Sequence, residues 1–372
     1  MNKVMRSSAL SNSLPKHHMS PGLDDVVVAE TTLSHVDGAA GELILRGRRM
    51  EDVAGRIPFE DVVVDLWSGF TKEPVTSIRD QLAAASLQAM EVVHQLAPLA
   101  PNLEVIEWMR ACLDALPINN STSEPVAILA AMPVFLANGF RAKQGMTLVS
   151  PNPQHSFAES ILAMLHDASP GSHEVESLDR YLVTICDHGL NASTFTARVI
   201  ASTQSDMRSA ISGAIGALKG PLHGGAPGPV LDMIEAIGKP DKADAWIAKE
   251  LAAGRRLMGF GHRVYRVRDP RADILKEGLA KMASHSDKII HAMAIEKAAL
   301  KALKKHKPDR TLDTNVEFYT AILLDSIGID RSLFTPLFAV GRTAGWTAHV
   351  MEQTASNKLI RPQSLYVGPT PA

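Results

Sequence analysis

Residues 257–271 read Leu257-Met258-Gly259-Phe260-Gly261-His262-Arg263-Val264-Tyr265-Arg266-Val267-Arg268-Asp269-Pro270-Arg271. The two glycines permit positive φ angles and a close approach of the backbone to a ligand. A histidine follows at once, and four arginines stand within the next nine residues. Asp269 and Pro270 are typical of a helix N-cap and the first helical position. The stretch therefore predicts a glycine loop that runs into a helix.

The arginines of this loop suggest a ligand. Planar guanidinium groups bind carboxylates and phosphates through paired hydrogen bonds. The loop suits a small anion that carries more than one such group. The alternative is a solvated basic loop, because loops are usually polar and exposed. The stretch alone leaves both interpretations open.

Composition limits the class of protein. The chain has 372 residues, enough for two domains or for one large domain with an added lobe. The net charge of −2 creates no overall attraction to nucleic acid or anionic lipid. Cys112 and Cys186 are far apart, which indicates a reducing compartment and no disulfide framework. No apolar run approaches the roughly 18 residues of a membrane span, so we expect none.

Residues 1–23 are predicted to be a flexible N-terminal tail. Basic residues and serines without any acid also fit an organelle transit peptide. Prolines and the paired His17 and His18 interrupt any amphipathic helix there, which favours the flexible tail. Met19 is an alternative start of the chain.

A small β-hairpin is predicted near the N-terminus. Val26–Val28 and Glu42–Leu45 are the best strand candidates, and the Asp37-Gly38 turn signal lies between them.

The remaining chain is predicted to be mainly helical, because aromatic residues are scarce at 5% and alanine, leucine and methionine are common. Ser156 and Glu159 form a capping-box pattern. Gly213 and Gly216 lie inside a predicted helix and suggest a closely packed partner helix. Further helices are predicted over 229–237, 241–253, 270–285, 286–305, 315–327 and 332–355.

Two more stretches bring histidines into loops. In Asp187–Phe195, His188 lies at a predicted helix end, and Asn191 or Ser193 can cap the next helix, so a simple capping turn is the alternative. In Gly220–Pro229, seven of ten residues are glycine or proline, and His223 is the one functional side chain. His223 stands next to backbone amides that lead into the N-terminus of a predicted helix, so we expect it to be neutral and able to donate a hydrogen bond to an oxygen where negative charge develops. The alternative is a rigid interdomain turn.

Glu317 is predicted to lie in the first turn of a helix, within Asn315–Tyr319. A glutamate there is usually a surface charge that complements the helix dipole. It can instead act as a general base if desolvation raises its pKa from about 4.3. Arg342 and Arg361 are isolated arginines in apolar surroundings.

Together these stretches resemble the citrate synthase family. The motifs GPLHGGAP, MGFGHRVYR with DPR, NVEFY, and FAVGRTAGWTAHVMEQ followed by RP occur in the family's order and spacing. The similarity runs from about Thr31 to about Gly368. It implies a mainly α, two-domain, multi-helical fold and a homodimer. The large domain would comprise 24–219 plus 326–372, and the small domain 220–325.

The resemblance also implies an activity. Family members are acyltransferases of the tricarboxylic acid cycle that condense acetyl-CoA with oxaloacetate and hydrolyse citryl-CoA to citrate and CoA. They need no metal and no cofactor, since the CoA thioester is a substrate. We expect a cytoplasmic protein that binds neither nucleic acid nor membrane.

The family's functional residues carry over onto matching positions. His223 would hydrogen-bond the thioester oxygen, Glu317 would remove the methyl proton, and His262 would polarise the oxaloacetate carbonyl. Arg266 would meet a CoA phosphate. The residues that would bind oxaloacetate are His188, Arg271 and Arg342, with Arg361 from the neighbouring subunit.

Position 317 departs from the family pattern, since most members have aspartate there. The extra methylene of Glu317 moves the carboxylate by about 1 Å, a shift that can cost on the order of a hundredfold in rate. We interpret Glu317 as a variant base. A weakly active or degenerate CoA-binding homologue is the alternative.

Two further alternatives remain. A 2-methylcitrate synthase would use propionyl-CoA, whose extra methylene is worth only about 1–3 kcal/mol of discrimination. A metal-dependent hydrolase would use His188, His223 and His262, although no compact pair such as HExxH occurs.

Overall fold

The computed structural model describes the following residues: 20–23, 26–71, 75–118, 122–224, 227–262, 264–282, 286–369 and 371. The predicted tail over 1–23 lies almost wholly outside them. The chain divides into two compact units, residues 1–32 and residues 33–372.

A three-stranded antiparallel sheet opens the second unit. Strands β1 (Ser34–Asp37), β2 (Glu42–Leu45) and β3 (Arg48–Arg49) pair in chain order, with Ser34 opposite Leu45. The Asp37 carboxylate accepts the backbone N–H groups of Ala39 and Ala40 at 2.9 and 2.8 Å and shapes the turn between β1 and β2. A small N-terminal sheet is therefore confirmed, and one of the two strands predicted for it, Glu42–Leu45, is β2.

The prediction of a strand over Val26–Val28 is wrong. These valines lie outside the sheet and are exposed by 43%, 88% and 37%. Ser34–Asp37 takes the place opposite β2 instead. Three β-branched residues favour a strand only where a neighbouring strand and an apolar face can receive them, because β propensity depends on packing.

Outside this sheet, the regular secondary structure of the described residues is helical, as predicted. The helices are α1 (Met50–Val53), α2 (Phe59–Trp67), α3 (Val75–Leu96), α4 (Val105–Ala115), α5 (Glu124–Lys143), α6 (Phe157–His166), α7 (Ser172–Ile185), α8 (Ala192–Ala201), α9 (Met207–Leu218), α10 (Pro227–Ile237), α11 (Ala243–Ala252), α12 (Pro270–Met282), α13 (Asp287–His306), α14 (Val316–Ser326) and α15 (Phe334–Ser356).

Local sequence signals set several of these helices. Ser156 and Glu159 form the predicted capping box of α6. A Cβ on Gly213 of α9 would lie 2.3 Å from Ile200 of α8, so the predicted close packing is confirmed there. At Gly216 a Cβ would make only ordinary contact, at 3.7 Å or more from Arg110.

Helix α5 corrects the prediction that no segment approaches the length of a membrane span. Its 20 residues have a mean hydropathy of 1.4 in the most apolar window, which is enough to cross a membrane by length and composition alone. However, 89% of that window is buried inside the protein, where α3, α4, α6 and α15 pack against it. A helix that is apolar on all sides is a core helix when other helices surround it.

Helix α15 packs closely against the segment that leads to the candidate site. A Cβ on Gly345 would lie 2.3 Å from the carbonyl oxygen of Cys186, just after α7. The missing side chain therefore lets α15 contact the backbone of the segment that carries His188.

Candidate active site

The loop after Met258 has the predicted conformation. Gly259 and Gly261 have φ angles of 82° and 83°. A Cβ on Gly259 would lie 2.8 Å from the Cβ of Phe318. The close approach that glycine permits here is therefore to helix α14.

Backbone hydrogen bonds join this loop to the start of α14. Gly261 N–H donates to the Asp313 carbonyl at 2.7 Å, and Asn315 N–H donates to the Gly259 carbonyl at 3.0 Å. Asn315 also caps α14, because its side chain accepts the Glu317 N–H at 3.0 Å. The Asn315 side chain also donates to the carbonyl of Gly261, which stands 54 positions earlier in the chain. The segments that carry His262 and Glu317 are therefore fixed to each other.

Asp269 strengthens the same connection. Its carboxylate binds Arg271 Nε and Nη2 at 3.0 and 2.9 Å and accepts the Val316 N–H at 3.1 Å. It also accepts the Arg271 N–H, so Asp269 is the N-cap of α12, as predicted. Sequence reasoning identified Asp269 only as a cap, since nothing in the local pattern indicates its contact with α14.

His262 is positioned as a neutral donor. Its Nδ1 accepts the N–H groups of Val264 and Tyr265 at 3.0 and 3.1 Å, so a neutral ring carries its proton on Nε2. Burial and the adjacent Arg271 lower the pKa of His262 to about 4. Arg271 Nη2 lies 3.4 Å from Nε2. Because both groups donate, together they suit one acceptor oxygen.

His188 lies beside them. Its side chain is 9% exposed, and its Nε2 is 3.1 Å from the Tyr265 hydroxyl. The ring centroids of His188 and His262 are 6.0 Å apart. Burial, together with Arg271, Arg342 and His262, holds the pKa of His188 well below its usual value.

Arg342 is buried at the same site. Its Nε donates to the Ile185 carbonyl at 2.6 Å, and its guanidinium lies 4.7 Å from the ring centroid of Phe338. Burial and the nearby Arg271 lower its pKa to about 10, although Asp187 opposes the shift. The group still carries a charge at neutral pH. Arg271, Arg342 and His188 therefore form a buried, positively charged and donor-rich region.

His223 is held from one side by Ser193. Its Nε2 lies 2.8 Å from Ser193 Oγ and 3.3 Å from Ser193 N, which leaves Nδ1 as the ring nitrogen for a ligand. Burial and Arg342 lower the pKa of His223 to about 4, so the ring is neutral as predicted. The amide beside it comes from the start of α8, whereas the sequence suggested the helix that follows His223. Ser193 was considered only as a cap, and Asn191 fills that role.

Glu317 meets the condition stated for a general base. The side chain is half-buried in the first turn of α14. Burial raises its pKa to about 7, although Arg271 opposes the shift. It is therefore not a solvated surface charge.

The other predicted arginines differ from these. Arg268 pairs with Asp273, Asp313 and Glu296, so it stabilises the loop and not a ligand. Arg266 is exposed, and so is Arg361 in the irregular segment after α15. The interpretation of a solvated basic loop is wrong for Arg268 and Arg271.

The described residues contain no group of three or more His, Cys, Asp or Glu that could hold a metal ion. His188, His223 and His262 do not form a set of metal ligands, so the metal-dependent hydrolase lacks structural support.

Comparison with known proteins identifies the family. The sequence profile described as "Citrate synthase, C-terminal domain" matches residues 22–363. The chain belongs to the citrate synthase family. The resemblance inferred from the motifs is thus confirmed, and the protein is a transferase of this family.

Relatives of this citrate synthase family member cover nearly all of it. A citrate synthase from Haloferax volcanii is 38% identical over 367 residues, covering 93% of this chain and 95% of that protein. A 2-methylcitrate synthase from Mycobacterium tuberculosis is 35% identical over 363 residues, covering 93% and 90%.

A solved citrate synthase from Thermoplasma acidophilum, in a ternary complex with carboxymethyl coenzyme A and oxaloacetate, superposes with a TM-score of 0.86. It is 29% identical, and the match covers 95% of this chain and 97% of that one. The predicted mainly α, citrate-synthase-like fold is confirmed.

Proposed function

We propose that this protein is a citrate synthase, which condenses acetyl-CoA with oxaloacetate and hydrolyses citryl-CoA to citrate and CoA. The observation that carries the proposal is the backbone pairing of 259–261 with 313–315. This pairing joins a neutral imidazole donor, His262, to a carboxylate with a raised pKa, Glu317. An enolisation beside a dicarboxylate needs both groups.

Oxaloacetate would occupy the region between His188, Arg271 and Arg342. Guanidinium groups suit its two carboxylates, and burial strengthens these interactions because water screens them less. His262 Nε2–H would donate to the ketone oxygen and make its carbon more electrophilic. Arg361 of a second subunit would complete the pocket.

Acetyl-CoA would place its methyl group beside Glu317 and its thioester oxygen beside His223. Glu317 would take the methyl proton, and the neutral His223 would donate to the oxygen on which negative charge develops. Arg266, exposed on the loop, is available for a CoA phosphate. The Thermoplasma complex, with its CoA derivative and oxaloacetate, supports these two substrate classes. None of these steps uses a metal or another cofactor.

Steady-state kinetics with oxaloacetate tests the proposal. Thiol release measured with acetyl-CoA and with propionyl-CoA gives kcat/KM for each. A higher value for acetyl-CoA supports citrate synthase. A clear preference for propionyl-CoA supports 2-methylcitrate synthase, which the 35% identical relative favours. No turnover by either the wild type or Glu317→Asp would indicate a degenerate CoA-binding homologue.

The pH dependence of kcat/KM should report Glu317. A base acts only when deprotonated, so we expect the rate to rise with pH through about 7 and to fall about tenfold per unit well below it. His223 and His262, with pKa values of about 4, should add no second transition between pH 5 and 8. A rate that stays constant from pH 5 to 8 would contradict a base with this pKa.

We propose a homodimer with shared sites, since Arg361 is exposed in the irregular segment after α15, whereas the other predicted oxaloacetate ligands, His188, Arg271 and Arg342, are buried. Arg361→Ala and His262→Ala are each expected to be inactive. When equal amounts of the two variants are mixed and reassembled, about half of the dimers contain one copy of each, and such a dimer has one intact site of two. Up to about a quarter of the wild-type activity should therefore return. No recovery despite verified subunit exchange would argue against sharing.

We further propose that 220–325 acts as a small domain that closes on a large domain of 24–219 plus 326–372. Closure over a bound substrate would exclude water from the reaction. A cytoplasmic location and a role in the tricarboxylic acid cycle accompany this proposal.

A further inference from the structure

Buried polar side chains lie behind His188, along one face of α15. Arg342, Gly345 and His349 have the spacing i, i+3 and i+7, which places them on that face. Because Gly345 lets the helix contact the carbonyl of Cys186, this face packs directly on the segment that carries His188.

His349 is fully buried between two charged groups. Its Nδ1 lies 2.9 Å from Arg198 Nη1, and its Nε2 lies 3.2 Å from both carboxylate oxygens of Asp187. A guanidinium only donates, so Nδ1 accepts and the ring donates its Nε2–H to Asp187. Arg198, which is buried, in turn forms an ion pair with the partly exposed Glu352 at 2.6 Å.

Asp187 connects this histidine to the site. Its carboxylate also accepts the Ser34 hydroxyl at 2.5 Å, and Ser34 Oγ accepts the Gly189 N–H at 2.9 Å. Burial opposes ionisation, but His349, Ser34 and Arg342 together hold the pKa of Asp187 below its usual value. An ionised Asp187 thus lies immediately before His188 and interacts with Arg342.

Building on the proposed function, we propose that His349 is a positioning residue for oxaloacetate binding. Its Nε2–H holds the Asp187 carboxylate, and this carboxylate fixes the turn over 187–189 and balances the charge of Arg342. An apolar residue at 349 would leave a buried carboxylate short of a donor and Arg198 short of an acceptor. Such a carboxylate turns away or takes up a proton, and His188 then loses its fixed position.

His349→Leu and His349→Gln test the proposal. For the leucine variant we expect the Kd and KM of oxaloacetate to rise by roughly tenfold, as loss of a partner for a buried polar group predicts. The kcat and the KM of acetyl-CoA should change little. Glutamine retains an N–H donor near the position of Nε2 and should restore most of the affinity. An unchanged oxaloacetate Kd in a folded leucine variant would overturn the proposal.

Asn138→Leu is the matched control. Asn138 is also fully buried, and its side chain donates to the carbonyls of Val134 and Val149 at 3.1 and 3.0 Å. Its loss should lower the free energy of unfolding without changing the Kd of oxaloacetate. An equal rise in Kd in both variants would mean general destabilisation and would count against a positioning role.

A crystal structure of His349→Leu gives a readout that needs no ligand. The 3.1 Å distance from His188 Nε2 to the Tyr265 hydroxyl should lengthen. If the wild type neither binds nor turns over oxaloacetate, the proposed function fails, yet this distance still decides whether His349 positions His188. If the leucine variant does not fold, His349→Met also lacks the N–H donor and has a flexible side chain that adapts to the space, and an unchanged distance there would overturn the proposal.

Discussion

Glu317→Gln is expected to lower kcat by about 10²- to 10⁴-fold, the usual contribution of a positioned general base. Glutamine keeps the size of the side chain but cannot take a proton. Exchange of deuterium into the methyl group of acetyl-CoA should be lost, whereas the Kd of oxaloacetate should remain near the wild-type value. Rapid-quench kinetics measures the change in rate, and NMR measures the deuterium exchange.

Glu317→Asp is the control for this substitution. It retains a carboxylate, displaced by about one methylene, so it should keep measurable exchange even where the rate falls. Methyl exchange that persists in Glu317→Gln would remove this residue from the mechanism.

His223→Ala is expected to lower kcat by about 10²- to 10³-fold, the range found when a donor to a developing oxyanion is removed. The KM of oxaloacetate should change little, because His188, Arg271 and Arg342 are the groups proposed to hold it. Steady-state kinetics with each substrate varied in turn measures the kcat and the KM of oxaloacetate.

His291→Ala provides a matched histidine substitution. His291 is exposed on α13, and its loss should leave both constants unchanged. If His223→Ala instead raised the KM of oxaloacetate with an unaltered kcat, His223 would be a binding group and not the stabiliser of the enol.

Much of the helical structure could be predicted, because capping and apolar spacing act over a few residues. Ser156 with Glu159 begins α6 and Asp269 begins α12, as their local patterns indicate. The strand over Val26–Val28 could not be decided in this way, since a strand depends on a neighbour whose identity the local sequence does not contain. Likewise, nothing in the local sequence indicates that Ser34–Asp37 is the strand that lies opposite β2.

The candidate site was predictable as a set of residue types, but its internal connections were not. The neutral state of His223 was expected, yet Arg342 and Ser193 come from distant parts of the chain. Likewise, the number of arginines in the loop did not distinguish Arg268, which pairs with three carboxylates, from Arg271, which borders His262. Only tertiary contacts separate a structural guanidinium from one that faces a ligand.

The bonds from Asp269 to both Arg271 and Val316 have a mechanical consequence. Because one carboxylate is hydrogen-bonded both to Arg271 and to the first turn of α14, the segments that carry His262, Arg271 and Glu317 are held together as one unit. The spacing between the proposed base, Glu317, and the proposed carbonyl donor, His262, is thereby set when the chain folds and need not be rebuilt for each turnover of the proposed reaction.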